Sequence, residues 1–197
     1  MEQATQSMTS SALEGGFQNP AIDAAHAFRA VMNAMARPGQ IQEIGGAEPP
    51  APMSKAAGAV ILTLCDSTAP LYLAPSYDKP EIRDWVAFHS SAPLVGPEDC
   101  AFALGGWDEL LPLSRFSLGT PVYPDRSATL IVELPELTNS GPRLTGPGIK
   151  DSAQFNLPGD LALFQENSTH FPMGLDFYFT SDEEIAGLPR STKLEAV

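Results

Sequence analysis

The sequence has little positive charge, and it lacks the patterns that mark membrane or nucleic-acid proteins. Eleven Lys and Arg residues stand against 24 Asp and Glu in 197 residues, which gives a net charge of −13 at pH 7. Nucleic-acid binding needs clustered cations, so the composition argues against a nucleic-acid or an anionic-membrane partner. No apolar run approaches the ~18 residues that span a bilayer, and the N-terminus lacks the order of a signal peptide. These absences predict a cytoplasmic protein.

Residues that usually carry metal or nucleophilic chemistry are also scarce. Cys65 and Cys100 are the only cysteines, and both lie in apolar segments outside any Cys-x-x-Cys pair, so we expect buried free thiols. His26, His89 and His170 are far apart in the sequence and lack metal-ligand spacing. The chain has no Gly-x-Ser-x-Gly, Walker or Gly-x-Gly-x-x-Gly motif. The sequence therefore predicts no metal and no cofactor, and it identifies no catalytic residue.

The chain does have the composition of a globular protein with stiff connections. Apolar residues make up 43% of it, and 19 prolines lie mostly in short turn phrases. This composition predicts a single domain over residues 17–197, preceded by a polar, aperiodic arm over residues 1–16 that we expect to be disordered. Helical and strand patterns interleave, which predicts an α/β fold with a mixed sheet and helices on both faces.

Three helices are predicted in the first half of the chain. Asn19-Pro20 is a good helix start and Pro38-Gly39 a good helix end. Ser54 is a candidate N-cap for a second helix, and Asp78 with Glu81 resembles a capping box for a third. On the first helix, the apolar residues that recur on one face and are predicted to be core are Ala25, Phe28, Met32 and Met35.

Several strands are predicted between and after these helices. Residues 129–134 form a nearly continuous apolar run, which is typical of a strand covered on both faces. Residues 71–73, 94–95 and 101–104 are shorter strand candidates. Residues 175–180 alternate between apolar and polar, which predicts a half-buried strand. The capping-box pattern from Ser181 to Glu184 predicts a last short helix that Pro189 ends.

Three arginines at the ends of turn phrases are the most interesting charged residues. Arg37, Arg126 and Arg190 each carry a planar guanidinium that recognises phosphate and carboxylate groups. In an acidic protein such an arginine either holds an anionic ligand or pairs with a nearby carboxylate, such as Asp125 or Asp176. The ion pair is the favoured interpretation, and ligand binding stays open.

The turn Thr145-Gly146-Pro147-Gly148 is the nearest approach to a phosphate-binding loop. Pro147 removes one of the amide donors that such a loop requires, so a structural turn is favoured. The phrase Arg37-Pro38-Gly39 is also interpreted as structural, with Gly39 at positive φ just after a helix end. The candidate ligand-binding residues are Arg126, Arg190, Thr145, Gly146 and Gly148.

Taken in order, the turn phrases resemble one family, PhnH, the H subunit of the bacterial carbon–phosphorus lyase system. The residues that carry the resemblance span 17–192 and are Phe28-Arg29, Met32, Met35, Arg37-Pro38-Gly39, Gly119-Thr120, Tyr123-Pro124, Ser127-Ala128-Thr129, Thr145-Gly146-Pro147-Gly148-Ile149, Phe171-Pro172-Met173-Gly174-Leu175-Asp176 and Leu188-Pro189-Arg190-Ser191-Thr192.

The resemblance implies a fold and a function that the residues alone do not give. It implies a three-layer α/β/α sandwich like the large domain of pyridoxal-phosphate-dependent transferases, without the cofactor. It also implies a homodimer in isolation and, in the cell, an accessory subunit of a core complex. That complex makes a ribose 1-phosphonate 5-triphosphate from ATP and an alkylphosphonate with release of adenine, before a radical iron–sulfur subunit breaks the carbon–phosphorus bond. A stand-alone enzyme or a sensor that binds a phosphorylated small molecule remains the alternative.

Overall fold

Helices and strands alternate along residues 13–197, the part of the chain that the computed structural model describes. Residues 1–12, which make up most of the predicted arm, lie outside the described residues. The α-helices are α1 (Pro20–Ala36), α2 (Lys55–Leu64), α3 (Pro80–His89), α4 (Trp107–Leu110) and α5 (Leu161–Thr169). The strands are β1 (Gln42–Glu43), β2 (Leu71–Leu73), β3 (Phe102–Gly106), β4 (Thr129–Glu133), β5 (Arg143–Thr145), β6 (Ala153–Gln154), β7 (Asp176–Ser181), β8 (Glu184–Leu188) and β9 (Lys193–Glu195).

The main sheet has six strands in the order β1-β8-β7-β4-β3-β2. Strands β2, β3, β4 and β7 are parallel, whereas β8 and β1 are antiparallel to their neighbours, so the predicted mixed sheet is confirmed. Ile131 of β4 pairs with Leu104 on one side and Tyr178 on the other, which sets the register of the central strands. A second, three-stranded antiparallel sheet, β6-β5-β9, was not predicted.

Helices cover both faces of the main sheet, as the sequence predicted. Successive side chains of a strand point to opposite faces, so neighbouring residues of β7 report on different layers. The Tyr178 hydroxyl donates to the Val31 carbonyl of α1 at 3.4 Å. Phe177 and Phe179 instead pack against Phe164 of α5, with ring centroids 5.2 Å and 6.2 Å away. The sheet is therefore the middle layer between α1 and α5.

The same arrangement explains one confirmed strand prediction and one wrong one. Strand β4 is central, and its residues Leu130, Ile131 and Val132 are fully buried, as expected of a strand covered on both faces. Strand β7 was predicted to be half-buried, but it is buried on both faces because α1 and α5 enclose it. Thr180 is fully buried there, and its hydroxyl donates a hydrogen bond to the Glu133 carboxylate at 3.1 Å.

The predicted last helix does not form, and a β-hairpin occupies its place. Asp182 has a φ of 47°, in the left-handed region, and it begins the tight turn that joins β7 to β8. Ser181 pairs with Glu184 across this turn. The polar residues that look like a helix cap are turn residues, because Ile185 and the residues after it complete the sheet beside β7. Pro189 follows the end of β8.

Helix α1 begins and ends where the sequence predicts, but it buries a different face. Its buried residues are Ala27, Val31 and Ala34, which have no more than 3% of their surface exposed. Phe28 and Met32, which were predicted to be core, are about half exposed, at 50% and 53%. The reason is close packing: a Cβ added to Gly187 of β8 would lie 2.6 Å from the Ala34 backbone, so only small side chains fit there.

The starts of the next two helices differ in how closely they follow the prediction. Ser54 caps α2, and its hydroxyl accepts the Ala57 amide at 3.0 Å. Helix α3 begins at Pro80 without a side-chain cap, and Asp78 instead pairs with Arg83. Within the described residues, no helix combines the length and the apolar character needed to cross a membrane.

Candidate functional site

Arg190 lies at the centre of the most heavily bonded side-chain cluster in the described structure. Its Nε atom lies 3.1 Å and 3.2 Å from the two carboxylate oxygens of Asp176, and its backbone amide donates to the same carboxylate at 2.8 Å. A terminal nitrogen also contacts this carboxylate. The side chains of the pair are only 13% and 22% exposed. Both oxygens of Asp176 are therefore used, and the ion pair is largely shielded from water.

The remaining donors of Arg190 tie two loops to the end of β8. One nitrogen donates to the Pro124 carbonyl at 2.8 Å and faces the Pro172 carbonyl at 3.5 Å. The other nitrogen donates to the Ser127 hydroxyl. The narrow cleft beside Arg190, which Thr192 also lines, has no room for a water-sized molecule. Arg190 thus has its donors engaged by the protein rather than open to a ligand.

Arg126 lies in the same region but has a different environment. It ends the 3-10 helix Pro124–Arg126, and its guanidinium carbon lies 4.1 Å from the centroid of the Tyr123 ring. A cation stacked on an aromatic face gains modest stabilisation at an exposed site. The described residues place no carboxylate within ion-pair distance of Arg126, although Asp125 precedes it. Of the two predicted arginines, only Arg126 has an outward guanidinium that is free to meet an anion.

The phrases Arg37-Pro38-Gly39 and Gly146-Pro147-Gly148 contact each other at the C-terminal end of α1. We call this contact the backbone joint. Gly39 has a φ of 80°, as the sequence predicted, and a Cβ added to it would lie 2.8 Å from Ala153. Gly148 has a φ of 82°, and a Cβ there would lie 2.0 Å from the Ala36 carbonyl oxygen. Pro38 also borders Gly148. Backbone approach of this kind leaves no space for a phosphate at Gly148.

The other predicted loop residues lie beside the strand that follows Arg190. Gly146 has a φ of 131°, and a Cβ there would lie 3.3 Å from the Ser191 carbonyl oxygen. Thr145 ends β5 and pairs with Lys193 of β9. The structure therefore brings Thr145 and Gly146 to the backbone after Arg190, while the Arg190 side chain extends to Asp176 and the loops. Arg37 is exposed at the end of α1, and its backbone amide donates to the Asn33 carbonyl at 2.9 Å.

A partly buried carboxylate at the end of β4 was not predicted from the sequence. Glu133 accepts the Ser54 amide at 2.7 Å and the Thr180 hydroxyl at 3.1 Å, on different oxygens. Burial raises the pKa of Glu133 despite these hydrogen bonds. It links β4 and β7 to the N-terminus of α2, where a negative charge is favourable. The sequence feature that could have indicated this residue is a glutamate at the end of a continuous apolar strand.

The cysteines lie in the core, as predicted. Cys65 and Cys100 are buried and unpaired. Burial raises the pKa of the Cys65 thiol strongly and that of Cys100 to about 11. A thiol in such surroundings is a poor nucleophile at neutral pH. Residues 13–197 contain no group of three or more His, Cys, Asp or Glu side chains arranged to hold a metal ion.

Two surface depressions of the described structure lie away from the predicted residues. One of about 580 Å³ is lined by Glu43, Gly45, Gly46 and residues 182–184. Another, of about 540 Å³, lies near residues 140–142 and the C-terminal residues 196–197. Neither contains Arg126 or Arg190. The predicted ligand-binding set is thus divided between a bonded cluster, an exposed loop and a closed backbone joint.

Together these features define an α/β protein in which the least exposed ion pair of the described residues connects loops to a mixed sheet. Within that class, the chain belongs to the PhnH family. The family model described as "Bacterial phosphonate metabolism protein (PhnH)" matches residues 15–195, nearly the whole described chain. The family resemblance that the turn phrases carried is confirmed.

Two curated relatives support this assignment. The chain is 41% identical over 189 residues to the Rhizobium meliloti protein named "Alpha-D-ribose 1-methylphosphonate 5-triphosphate synthase subunit PhnH", with 92% of this chain and 94% of that protein covered. It is 30% identical over 179 residues to a Stutzerimonas stutzeri protein described as "Putative C-P lyase subunit protein HtxG", with 85% and 84% covered. Both relatives are named as subunits, and both align over most of their length.

Proposed function

We propose that this protein is an accessory subunit of a bacterial carbon–phosphorus lyase core complex. The complex forms ribose 1-methylphosphonate 5-triphosphate from ATP and a phosphonate, with release of adenine. The 41% identity to a synthase subunit over almost the full chain carries the proposal. The bonding of Arg190 agrees with it, because this arginine, one of the two predicted to bind a ligand, is occupied by Asp176 and by loop atoms.

The proposal extends to the fold and to the partners of the chain. The central mixed sheet with helices on both faces supports a three-layer α/β/α sandwich akin to the large domain of pyridoxal-phosphate-dependent transferases, used here without a cofactor. The partners are the other core subunits, and the isolated chain forms a homodimer in the cytoplasm.

Light scattering at micromolar concentration tests the homodimer: twice the chain mass of 21.0 kDa is expected. A monomer at every concentration contradicts it.

Co-expression tests the subunit proposal most directly. The chain is produced with the other core subunits, and the assembly is purified through a tag on one of them. Stoichiometric co-purification is expected, and a strain that lacks its own H subunit should regain growth on methylphosphonate as the sole phosphorus source. A chain that restores growth without ever joining the assembly would contradict an accessory role.

Direct binding of a phosphorylated small molecule is the second candidate, and Arg126 is the observation that favours it. Its guanidinium is stacked on Tyr123 and lacks a carboxylate partner among the described residues. In this candidate Arg126 would hold the anion at its exposed loop, because Arg190 is engaged by Asp176 and the backbone joint at Gly148 is closed. Arg126→Ala distinguishes the two. The subunit proposal expects normal assembly and growth, whereas a folded, assembled variant that fails to support growth favours ligand binding.

A further inference from the structure

Helix α1 presents its large apolar residues to the outside and its small ones to the sheet. Ile22, Phe28 and Met32 are 60%, 50% and 53% exposed, although the helix has a well-buried inner face. An ordinary surface helix shows the reverse pattern, with the apolar stripe inward and polar residues outward. We call the exposed apolar strip that contains Arg29 the α1 outer face; its residues are Ile22, Ala25, Phe28, Arg29 and Met32, and the exposed His26 borders it.

The spacing of these residues places them on one continuous strip. Positions 22, 25, 28, 29 and 32 recur at intervals of three or four, so they are neighbours on one side of the helix. From Ile22 to Met32 the strip is about 15 Å long at 1.5 Å per residue. Isolated exposed apolar residues are normal on proteins, but a contiguous apolar strip marks an interaction surface.

The charge of this strip is unusual for the molecule. The chain carries 24 acidic residues, yet α1 contains only Asp23. The Asp23 carboxylate accepts the Asn19 amide at 2.8 Å, and its Cβ lies beside Gly46, away from the outer face. Arg29 is the one charged residue of the α1 outer face, and the described residues provide it with no carboxylate within ion-pair distance.

This charge pattern decides between a second copy of the chain and a different protein. Two copies that met through the α1 outer face would bring two Arg29 side chains into an apolar contact that contains no carboxylate. A buried charge without a partner is costly, so self-pairing is disfavoured there. A different protein with an apolar strip and one acidic residue would cover Phe28 and Met32 and satisfy Arg29. Aromatic, Met and Arg residues are the types that interface centres favour.

We infer that the α1 outer face is the docking surface for another subunit of the core complex, which contributes an apolar helix or strip with a carboxylate opposite Arg29. The inference rests on the proposed function, because it presumes the assembly. It goes beyond that function by naming the surface of this chain and the chemistry of the partner's contact.

The test compares one double charge substitution, a single-substitution control and a pair of arginine variants in the co-expressed assembly. Phe28→Glu/Met32→Glu should reduce co-purification roughly tenfold or more. The matched control is Phe88→Glu, an aromatic residue on helix α3 that is 57% exposed, and it should co-purify like the wild type. Arg29→Glu should also lose the partner, and Arg29→Lys should retain it because the positive charge remains. The melting temperature of each isolated variant should match that of the wild type, since all four side chains are exposed.

Each other outcome overturns the inference in a recognisable way. Normal co-purification of Phe28→Glu/Met32→Glu shows that the partner docks elsewhere. Equal loss in Phe88→Glu shows that added charge, rather than the α1 outer face, disrupts assembly. A double variant that becomes monomeric in light scattering but still joins the complex assigns the face to a second copy. If the wild-type chain itself does not co-purify, the proposed function fails, and the inference fails with it.

Discussion

The guanidinium of Arg190 and the carboxylate of Asp176 form a largely buried pair, with Nε 3.1 Å and 3.2 Å from the two oxygens. The pair joins the start of β7 to the residues that follow β8. Through Pro124 and Ser127, it also holds the loop that precedes β4. A single arginine therefore fixes the relative positions of segments that are far apart in the sequence.

Replacing Arg190 should lower stability strongly. Arg190→Ala leaves Asp176 shielded and uncompensated and frees the loop carbonyl of Pro124, so we expect a loss of about 3 kcal/mol in the free energy of unfolding. Chemical denaturation measures this value. The control is Arg143→Ala, which removes an exposed pair with Glu195 and should cost no more than about 1 kcal/mol. Equal losses in the two variants would show that the Arg190 cluster is no stronger than a surface ion pair.

The same variant separates a structural role from ligand binding. If Arg190 is structural, growth on methylphosphonate should fall only as far as folding and assembly fall. The double variant Arg190→Ala/Asp176→Asn should recover part of the lost stability, because it removes the uncompensated charge. A stable, assembled and inactive Arg190→Ala protein would support the ligand-binding candidate instead.

Gly148 should tolerate no side chain. Its φ of 82° and the 2.0 Å distance from an added Cβ to the Ala36 carbonyl oxygen predict both backbone strain and a steric clash in Gly148→Ala. We expect a loss of at least about 2 kcal/mol, measured by denaturant unfolding. Gly45→Ala is the control, since a Cβ there meets nothing closer than 3.8 Å. A Gly148→Ala protein as stable as this control would disprove the close approach at the joint.

Neither cysteine should react in the folded protein. The pKa of Cys100 is raised to about 11 and that of Cys65 is raised further, so both remain thiols at pH 8. Labelling with a thiol-specific disulfide reagent at this pH should be slow and should become complete only after denaturation. Cys100→Ser identifies the residue responsible for any fast phase. Rapid labelling of either thiol in native buffer is the contrary result.

Glu133 should make stability depend on pH in a specific direction. Its pKa is raised in the folded protein, so its contribution is fully present below the unfolded value of about 4.3 and is lost as the pH rises through the folded value. Glu133→Gln cannot ionise. The melting temperature of the wild type minus that of the variant should therefore decrease as the pH rises above about 4.3. Glu195→Gln, at an exposed position, is the control. A difference that stays constant between acidic and neutral pH would contradict the raised pKa.

Local patterns in the sequence predicted the fold class and several elements well. Pro20, Pro38 and Ser54 mark helix boundaries that the structure keeps, because proline geometry and side-chain caps act within a few residues. The apolar run at 129–134 predicted a doubly covered strand, and β4 is one. The second sheet was missed, because strands of two or three residues such as β5, β6 and β9 carry too little periodicity to detect.

The wrong predictions have a shared physical cause in tertiary packing. The Ser181–Glu184 segment satisfies a helix-capping pattern, but Ile185 and Glu184 pair with Gln42 and Glu43 of β1, so the segment forms a hairpin at the sheet. The Phe28 and Met32 stripe satisfies a core pattern, but the close approach of α1 to Gly187 admits only small residues inward. In both cases a neighbour that is distant in sequence decides between two locally acceptable structures.

The features of the candidate site likewise fall into those that the sequence determined and those that tertiary packing decided. The sequence by itself determined the family, the acidic charge, the buried thiols and the positive φ of Gly39, since these follow from residue types and short phrases. Only the tertiary structure decided that Arg190 binds Asp176 instead of presenting an open guanidinium, and that α1 turns its large residues outward. An arginine's partner and a helix's buried face depend on which distant segments come within a few ångströms, and single-chain patterns do not encode those distances.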